Sequence, residues 1–499
     1  MFQRDQKRRQ QTFADLSNAA QAVPQDHVLI RMREAVQWPA VERKLEEYYA
    51  EGDVGRPGWS PALLLRMLVL EEYAELSDRE VEEQVGYNLL YRAFVGVGAD
   101  DAVPDATTLV RFRARLQDSG LARVFEEVNR QWEAAGLIHA GRRVVDGVHL
   151  WAKVVRRSWG QLVGKLRRDL VEAVLREEGP TRAEELGRLA ATTPEEFELG
   201  AAARVEAETV RTQRLLETTR TVGGAEVARC RTTLEEVVQQ VGQVSLVDPD
   251  ARWGKKKEDF PFLGYKAHES IDPESRIITA VEVVPGNENE AVQTGELLAR
   301  ETTTLNPDTV VIGDALYNNR TTRDQIAAYP AQACLAGSRA ARVSDQFQYD
   351  PATDTFECPA GKRSQSKTLQ GDGALYRFSQ KDCRVCPLRD QCLTRGERKP
   401  GAKSRRRVYL SEVHKAKLEA GSAGKAWRRE HLAQRRRIEP KFHEQVNHHG
   451  LRRLRFWGRV KARLQAFTNA LTVNMKRVVK LLGPPPRGTP ALRAQPCPN

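Results

Sequence analysis

The sequence predicts a mixed α/β protein carrying separate helical parts, and three observations predict it. Two short apolar, β-branched runs each end on an aspartate, Asp146 in RRVVDGVHL and Asp314 in TVVIGDALYNN, as buried strands do. GYKAHESI near 264–271 and RIITAVEVVP near 276–285 read as a hairpin pair. Apolar residues at helical spacing fill long stretches to either side, from about 41 to 137 and from about 157 to 242.

Composition bounds the partners. The chain has 499 residues and a formal net charge of +12, with dense arginine at Arg405–Arg407 and Arg435–Arg437. Length allows one large core with satellites, and the charge suits a polyanion, DNA or RNA. No apolar run approaches the roughly 20 residues that cross a bilayer, and the basic N-terminus MFQRDQKRRQQ lacks the apolar segment of a secretory signal. A cytoplasmic, nucleoid-associated protein without a membrane partner is expected. In that reducing compartment four clustered cysteines, out of seven, point to metal before disulfide.

Residues 1–137 form the first expected domain, all-helical. Ser60-Pro61 is a helix start, followed by Leu63, Leu64, Met67 and Leu68 at helical spacing. Ser77 and Glu80 make a capping box ahead of Val81 and Val85. A further helix starts near Asp105 and runs TTLVRFRARL, where Arg111, Arg113 and Arg115 could meet phosphates. Short helices joined by tight turns suit a helix-turn-helix type of DNA-binding module.

Residues 138–344 hold the first part of the core. Its strand near 142–150 ends near Asp146, and a helical insertion at 157–242 follows, with Leu162, Leu166, Leu170 and Val174 every four residues. That stripe needs a partner, its own hairpin or a second subunit. After the hairpin pair come a helix near 288–302, the strand 309–314, a helix near 320–328 and a strand at 332–336. Strand, strand, strand, helix, strand, helix, strand is the order of a ribonuclease H-like core. A cysteine-rich insertion (345–400) follows. The core resumes as C-terminal helices (401–482). The last of these places Val460, Leu464, Phe467, Leu471, Met475 and Val478 on one face. The tail 483–499, GPPPRGTPALRAQPCPN, is expected to be disordered.

The chemistry rests on three carboxylates: Asp146, Asp314 and Glu439 of RRRIEPKFHE. Cutting a phosphodiester needs an activated water or hydroxyl and a stabilised leaving oxygen, which two hard cations about 4 Å apart supply. Magnesium takes oxygen ligands and keeps several waters, so a few carboxylates suffice. Two ions, Mg²⁺ or Mn²⁺, are the expected cofactor. An unbroken helix would set Arg435, Glu439 and His443 on one face, although Pro440 weakens that.

Alternation places Lys266 and His268 on one side of a strand, where His268 could touch the metals or the scissile phosphate and Lys266 could contact DNA. Cys358, Cys383, Cys386 and Cys392, spaced C-x24-C-x2-C-x5-C, suit a structural zinc ion. An iron–sulfur cluster and free thiols are the alternatives. Arg452, Arg453 and Arg455 are candidate phosphate contacts, with Trp457 as packing or base stacking, and Lys255–Lys257 beside Trp253 form a basic loop.

Over about residues 25–480 the chain resembles the DDE-type insertion-sequence transposases of bacteria. GRPGWSPALLLRMLVLEEYAELSDREVEEQ and DATTLVRFRARL resemble that family's N-terminal helical region, VVDGVHLWAK and VVIGDALYNN its two catalytic strands, and RRRIEPKFHEQVNHHGLRRLRFWGR its glutamate-bearing helix. By position the resemblance implies Asp146, Asp314 and Glu439 as catalytic residues, Arg435 as the signature arginine, and His268 in a similar Tyr-Lys-x-His. Leu316 stands for a usual glycine, Leu432 for a tyrosine and Val446 for a lysine whose DNA contact Arg452 or Arg453 could supply. The resemblance implies binding of double-stranded element ends, metal-dependent cleavage, strand transfer into target DNA, and a homodimer or larger assembly on DNA. A DDE nuclease retained without transposition and a catalytically inactive DNA-binding protein are the alternatives.

Overall fold

The computed structural model describes residues 23–484 apart from 50–57, 99–100, 118, 156–157, 192–198, 256–260, 290–292, 302–304, 337–345, 372, 394–403, 412–414 and 416–420. The basic N-terminus, Lys256, Lys257 and nearly all of the proline-rich tail lie outside the described residues. The chain divides into two compact units, one of residues 1–139, 146–304 and 438–499, the other of 140–145 and 305–437.

Among its described residues the first unit begins with helices α1 (Val28–Glu34), α2 (Trp38–Glu46), α3 (Pro61–Ala74), α4 (Asp78–Tyr87), α5 (Leu89–Val95), α6 (Ala106–Leu116) and α7 (Gly120–Ala134). Their starts obey the capping rules. Ser60 accepts the Leu63 amide, with Pro61 in the first helical position. Ser77 and Glu80 close the expected capping box, and Asp105 accepts the Thr108 amide at 2.7 Å.

Strand β1 (Arg142–Trp151) begins in the second unit and continues from Asp146 in the first. Among the described residues the expected insertion holds the α-helices α8 (Trp159–Glu178), α9 (Ala183–Ala190), α10 (Ala201–Thr218) and α11 (Ala225–Gln239). Leu162, Leu166, Leu170 and Val174 are buried against Leu186, Leu215, Val227 and Leu234. The period-four stripe thus finds its partner inside the insertion. A buried ion pair, Arg167 to Glu208 at 2.5 Å, crosses the same core.

Strands β2 (Arg252–Lys255), β3 (Pro261–Asp272) and β4 (Ile277–Pro285) follow. Both β2 and β4 pair antiparallel with β3, whose other neighbour is β1. Gly264 makes that approach: at φ +150 its missing Cβ would lie 2.0 Å from the Leu150 carbonyl, so no larger residue fits. Helix α12 (Thr294–Ala299) comes next. Glu282 of β4 faces His268 in register. Its buried carboxylate receives Arg463, and Arg300 at 2.8 Å.

In the second unit, β5 (Val310–Gly313), α13 (Arg320–Ala327) and β6 (Gln332–Leu335) complete the predicted succession, to which β2 is an added short strand. The first residues of β1 pair parallel with β5, and β5 with β6. Strands β7 (Gln348–Asp350) and β8 (Thr355–Glu357) form a hairpin, and β9 (Ser366–Gln370), β10 (Gly373–Arg377) and β11 (Arg407–Ser411) a small sheet. Helices α14 (Gln380–Arg384) and α15 (Arg389–Cys392) lie between β10 and β11, and α16 (Gly421–Ala433) runs into a 3₁₀ turn, Gln434–Arg437.

The first unit closes with α17 (Glu439–His448) and α18 (Arg459–Leu481). One apolar face was expected for α18, but it is buried nearly all round from Ala462 to Met475. It packs on α1, α3, α7 and β4. Its polar side chains are bonded there: Asn474 accepts the Ile278 amide at 2.8 Å and donates to the Ile278 carbonyl at 2.7 Å. Among the described residues no helix is long and apolar enough to cross a membrane.

Candidate active site

Asp146 sits half-buried within β1, flanked by the buried valines 144, 145 and 148, and its Oδ1 accepts the Gly147 amide at 2.8 Å. Gly147 leaves room for the His268 ring: a Cβ there would lie 3.2 Å from its Nδ1 and Cε1. Successive strand residues face opposite sides. His268 therefore lies on the Gly147 side and Asp146 on the other, which corrects the expectation that this imidazole reaches the metals. Burial first, then the nearby Lys266 and His149, push the His268 pKa down to about 3, so the ring is neutral. Lys266 is buried as well, and its Nζ donates to the Glu288 carbonyl at 2.9 Å. That removes it from the expected DNA contacts.

Asp314 follows the last residue of β5. Its Oδ1 accepts the amides of Leu316 at 2.7 Å and Tyr317 at 3.4 Å, a turn held by an aspartate side chain. Tyr317 is buried beneath it while Leu316, in place of the family glycine, is exposed.

Glu439 is exposed in the first turn of α17, next to Pro440. The helix is not continuous with Arg435: α16 ends at Ala433, and Arg435 lies in the 3₁₀ turn before α17 begins. Pro440 has no amide proton to extend the earlier helix through this point. The expected shared face of Arg435, Glu439 and His443 is therefore reduced to Glu439 and His443, one turn apart on α17. The helix docks through the opposite side. Gln445 Nε2 donates to Glu269 Oε1 of β3 at 2.7 Å, both fully buried. By alternation Glu269 lies on the same side of the sheet as Asp146.

Burial drives the Glu269 pKa up to about 7, against the pull of the Gln445 hydrogen bond and Lys441. Between about pH 4.5 and 7 the unfolded chain ionises this group and the folded chain does not, so its contribution to stability is lost as pH rises through 7. Glu269→Gln should therefore gain on the wild type by on the order of 2–3 kcal/mol between pH 5 and 8. Urea unfolding of both proteins at the two pH values checks this. A difference that does not move with pH refutes it.

The expected phosphate-binding arginines divide. Arg113 is buried, paired with Glu71 and with Asp78 at 2.7 Å, its guanidinium 4.8 Å over the Phe456 ring. Arg455 is held by Glu72 and by the Leu76 carbonyl at 2.7 Å. Both are corrected to structural ion pairs. Arg111 and Arg115 are exposed, Arg115 stacking 4.8 Å over Tyr49. Arg452 and Arg453 lie at the end of β1. There the Trp151 amide donates to the Arg452 carbonyl at 2.7 Å, and Leu454 donates back to Trp151 at 3.0 Å. The Arg452 guanidinium is 5.7 Å over the Trp151 ring. Trp457 Nε1 donates to the Lys153 carbonyl at 2.8 Å, which leaves the indole 48 % exposed.

The four clustered cysteines line one cavity of about 470 Å³ with Phe347, Phe378 and Leu393. Backbone amides of Lys362 and Arg406 donate to the sulfurs of Cys358 and Cys383 at 3.4 and 3.5 Å. The thiols are free, and burial pushes those of Cys383 and Cys392 up. Among the described residues no three or more His, Cys, Asp or Glu side chains form a group that could hold a metal ion. For the cysteines this geometry does not meet the zinc expectation. The carboxylates are of the right donor type for magnesium. Asp146 and Glu439 belong to the first unit and Asp314 to the second.

Residues 17–115 match the family described as a transposase domain (DUF772), and residues 357–479 match the transposase DDE domain. No solved structure matches the chain. Together the two matches support an insertion-sequence DDE transposase. The DDE match includes Glu439, whereas Asp146 and Asp314 fall between the two matched regions.

Proposed function

We propose that this transposase binds the inverted-repeat ends of its own element and cuts and joins DNA there, with Asp146, Asp314 and Glu439 holding two Mg²⁺ or Mn²⁺ ions. Such a pair supplies an activated water or 3′ hydroxyl and stabilises the leaving oxygen. The observation that carries the reading is the register of two parallel strands. Val144 and Ile312 are partners, and each is followed two residues later in the sequence by one of the aspartates. Glu439, within the DDE match, is exposed at the start of its helix and available to a ligand. The exposed indole of Trp457, with Arg452 and Arg453 at the end of β1, suits a phosphate backbone and an unstacked base. Joining two element ends requires at least two copies of the chain.

The test is cleavage of duplexes ending in the repeats that flank the gene. Magnesium or manganese should support nicking at the repeat ends, EDTA should stop it, and duplexes of scrambled ends should stay intact. Ends that remain uncut with either metal, or cut equally well in EDTA, would overturn the reading.

A further inference from the structure

Helix α17 is docked by an unusual stripe. Lys441 and Gln445 on its buried side and His449 at its C-cap recur every four residues, and all three are polar and buried. Between them they are bonded to three other elements. Gln445 reaches Glu269 on β3 at 2.7 Å. Lys441 reaches the Val473 carbonyl on α18 at 3.5 Å. His449 accepts from Lys476 of α18 at Nε2 (2.8 Å), which leaves Nδ1–H to donate to the Glu72 carbonyl on α3 at 2.8 Å. Asn469 of α18 adds a bond to the His449 carbonyl at 2.8 Å.

Buried polar anchors are a costly way to pack a helix; leucines of similar volume would do it at lower free energy. They give direction instead. An apolar stripe tolerates rotation and sliding, whereas hydrogen bonds to three elements fix a helix about its axis and along it. Glu439 is on the same rigid helix, on its exposed side, and no other regular element precedes it in this unit's final segment.

We propose that Lys441, Gln445 and His449, with Glu269 receiving Gln445, are positioning residues that set the direction in which Glu439 is presented to the metals. The inference rests on the function proposed above. Removing such a support misdirects a ligand without deleting it, which typically weakens metal binding 10–100-fold.

The test replaces the central bond with an apolar pair, Glu269→Met with Gln445→Leu, in the full chain bound to an element-end duplex. Manganese affinity is read by isothermal titration, beside thermal melting and duplex affinity. The double variant should melt at or above the wild-type temperature, bind duplex equally, and lose about 10–100-fold in manganese affinity. If it fails to fold, Gln445→Asn, one methylene short of Glu269, should show the same loss. Glu269→Gln, which keeps an acceptor at the site, should restore near-normal affinity. A folded variant that binds manganese like the wild type overturns the inference. Asp146→Asn serves as control. If that variant also binds manganese normally, the metal reading itself has failed; if it is weakened while the double variant is not, only the positioning role has.

Discussion

Asp146→Asn should abolish metal-dependent cleavage of element ends while the protein stays folded. The substitution keeps Oδ1, so the bond from the Gly147 amide survives. It removes the negative charge that a divalent cation requires. Losing one such ligand costs several kcal/mol of transition-state stabilisation, and about 4 kcal/mol is about 10³-fold in rate. Asp314→Asn should behave alike, because an asparagine can still accept the Leu316 and Tyr317 amides that shape its turn. Glu439→Gln is the cleanest of the three, since the side chain is exposed. Gel-based nicking assays, with circular dichroism melts as the folding control, decide the matter. Wild-type nicking by a folded Asp146→Asn protein would leave the carboxylate assignment without support.

The second large effect is on stability. Glu282→Ala should destabilise the first unit by about 3–5 kcal/mol, because it strands Arg463 without its buried counter-charge. Glu282 is 1 % and Arg463 5 % exposed, so water cannot replace the lost partner. Arg300, at 2.8 Å on the other carboxylate oxygen, would lose its partner too. A typical surface substitution stays within about 0.5 kcal/mol, so the two outcomes are well separated in a urea titration. Glu282→Leu combined with Arg463→Met should recover most of the loss, since no charge is then left buried. A single variant unfolding at the wild-type urea midpoint would refute the account.

Much of the architecture was legible because local rules and tertiary packing agree. Ser77 and Glu80 cap their helix from sequence alone, and the β-branched runs before Asp146 and Asp314 are strands. The stripe from Leu162 to Val174 is a core face. The failures share a cause: sequence periodicity gives a side but not what covers it. Arg113 and Arg455 read as phosphate contacts, yet Glu71 and Glu72 sit buried on the apolar helix α3 and draw both arginines inward. His268 lies beside Gly147, on the face of the sheet opposite Asp146, a matter of one residue's parity that only the neighbouring strand fixes. The polar stripe of α17 was missed outright, because Lys-x-x-x-Gln-x-x-x-His looks like a solvent-facing surface. Its period of four was the available signal.

The central place of α18 has a consequence for how the protein is made. Helices α1, α3 and α7 leave the ribosome early, but the helix that fills the space between them begins only at Arg459. At about 5–20 residues per second the wait from residue 74 to residue 459 is about 20–80 s. Through that interval the nascent amino-terminal half exposes an apolar surface with nothing to cover it, a natural client for a chaperone. Messages cut short before this helix would yield chains that never close their core, so a broken copy of the gene would give products cleared by proteolysis.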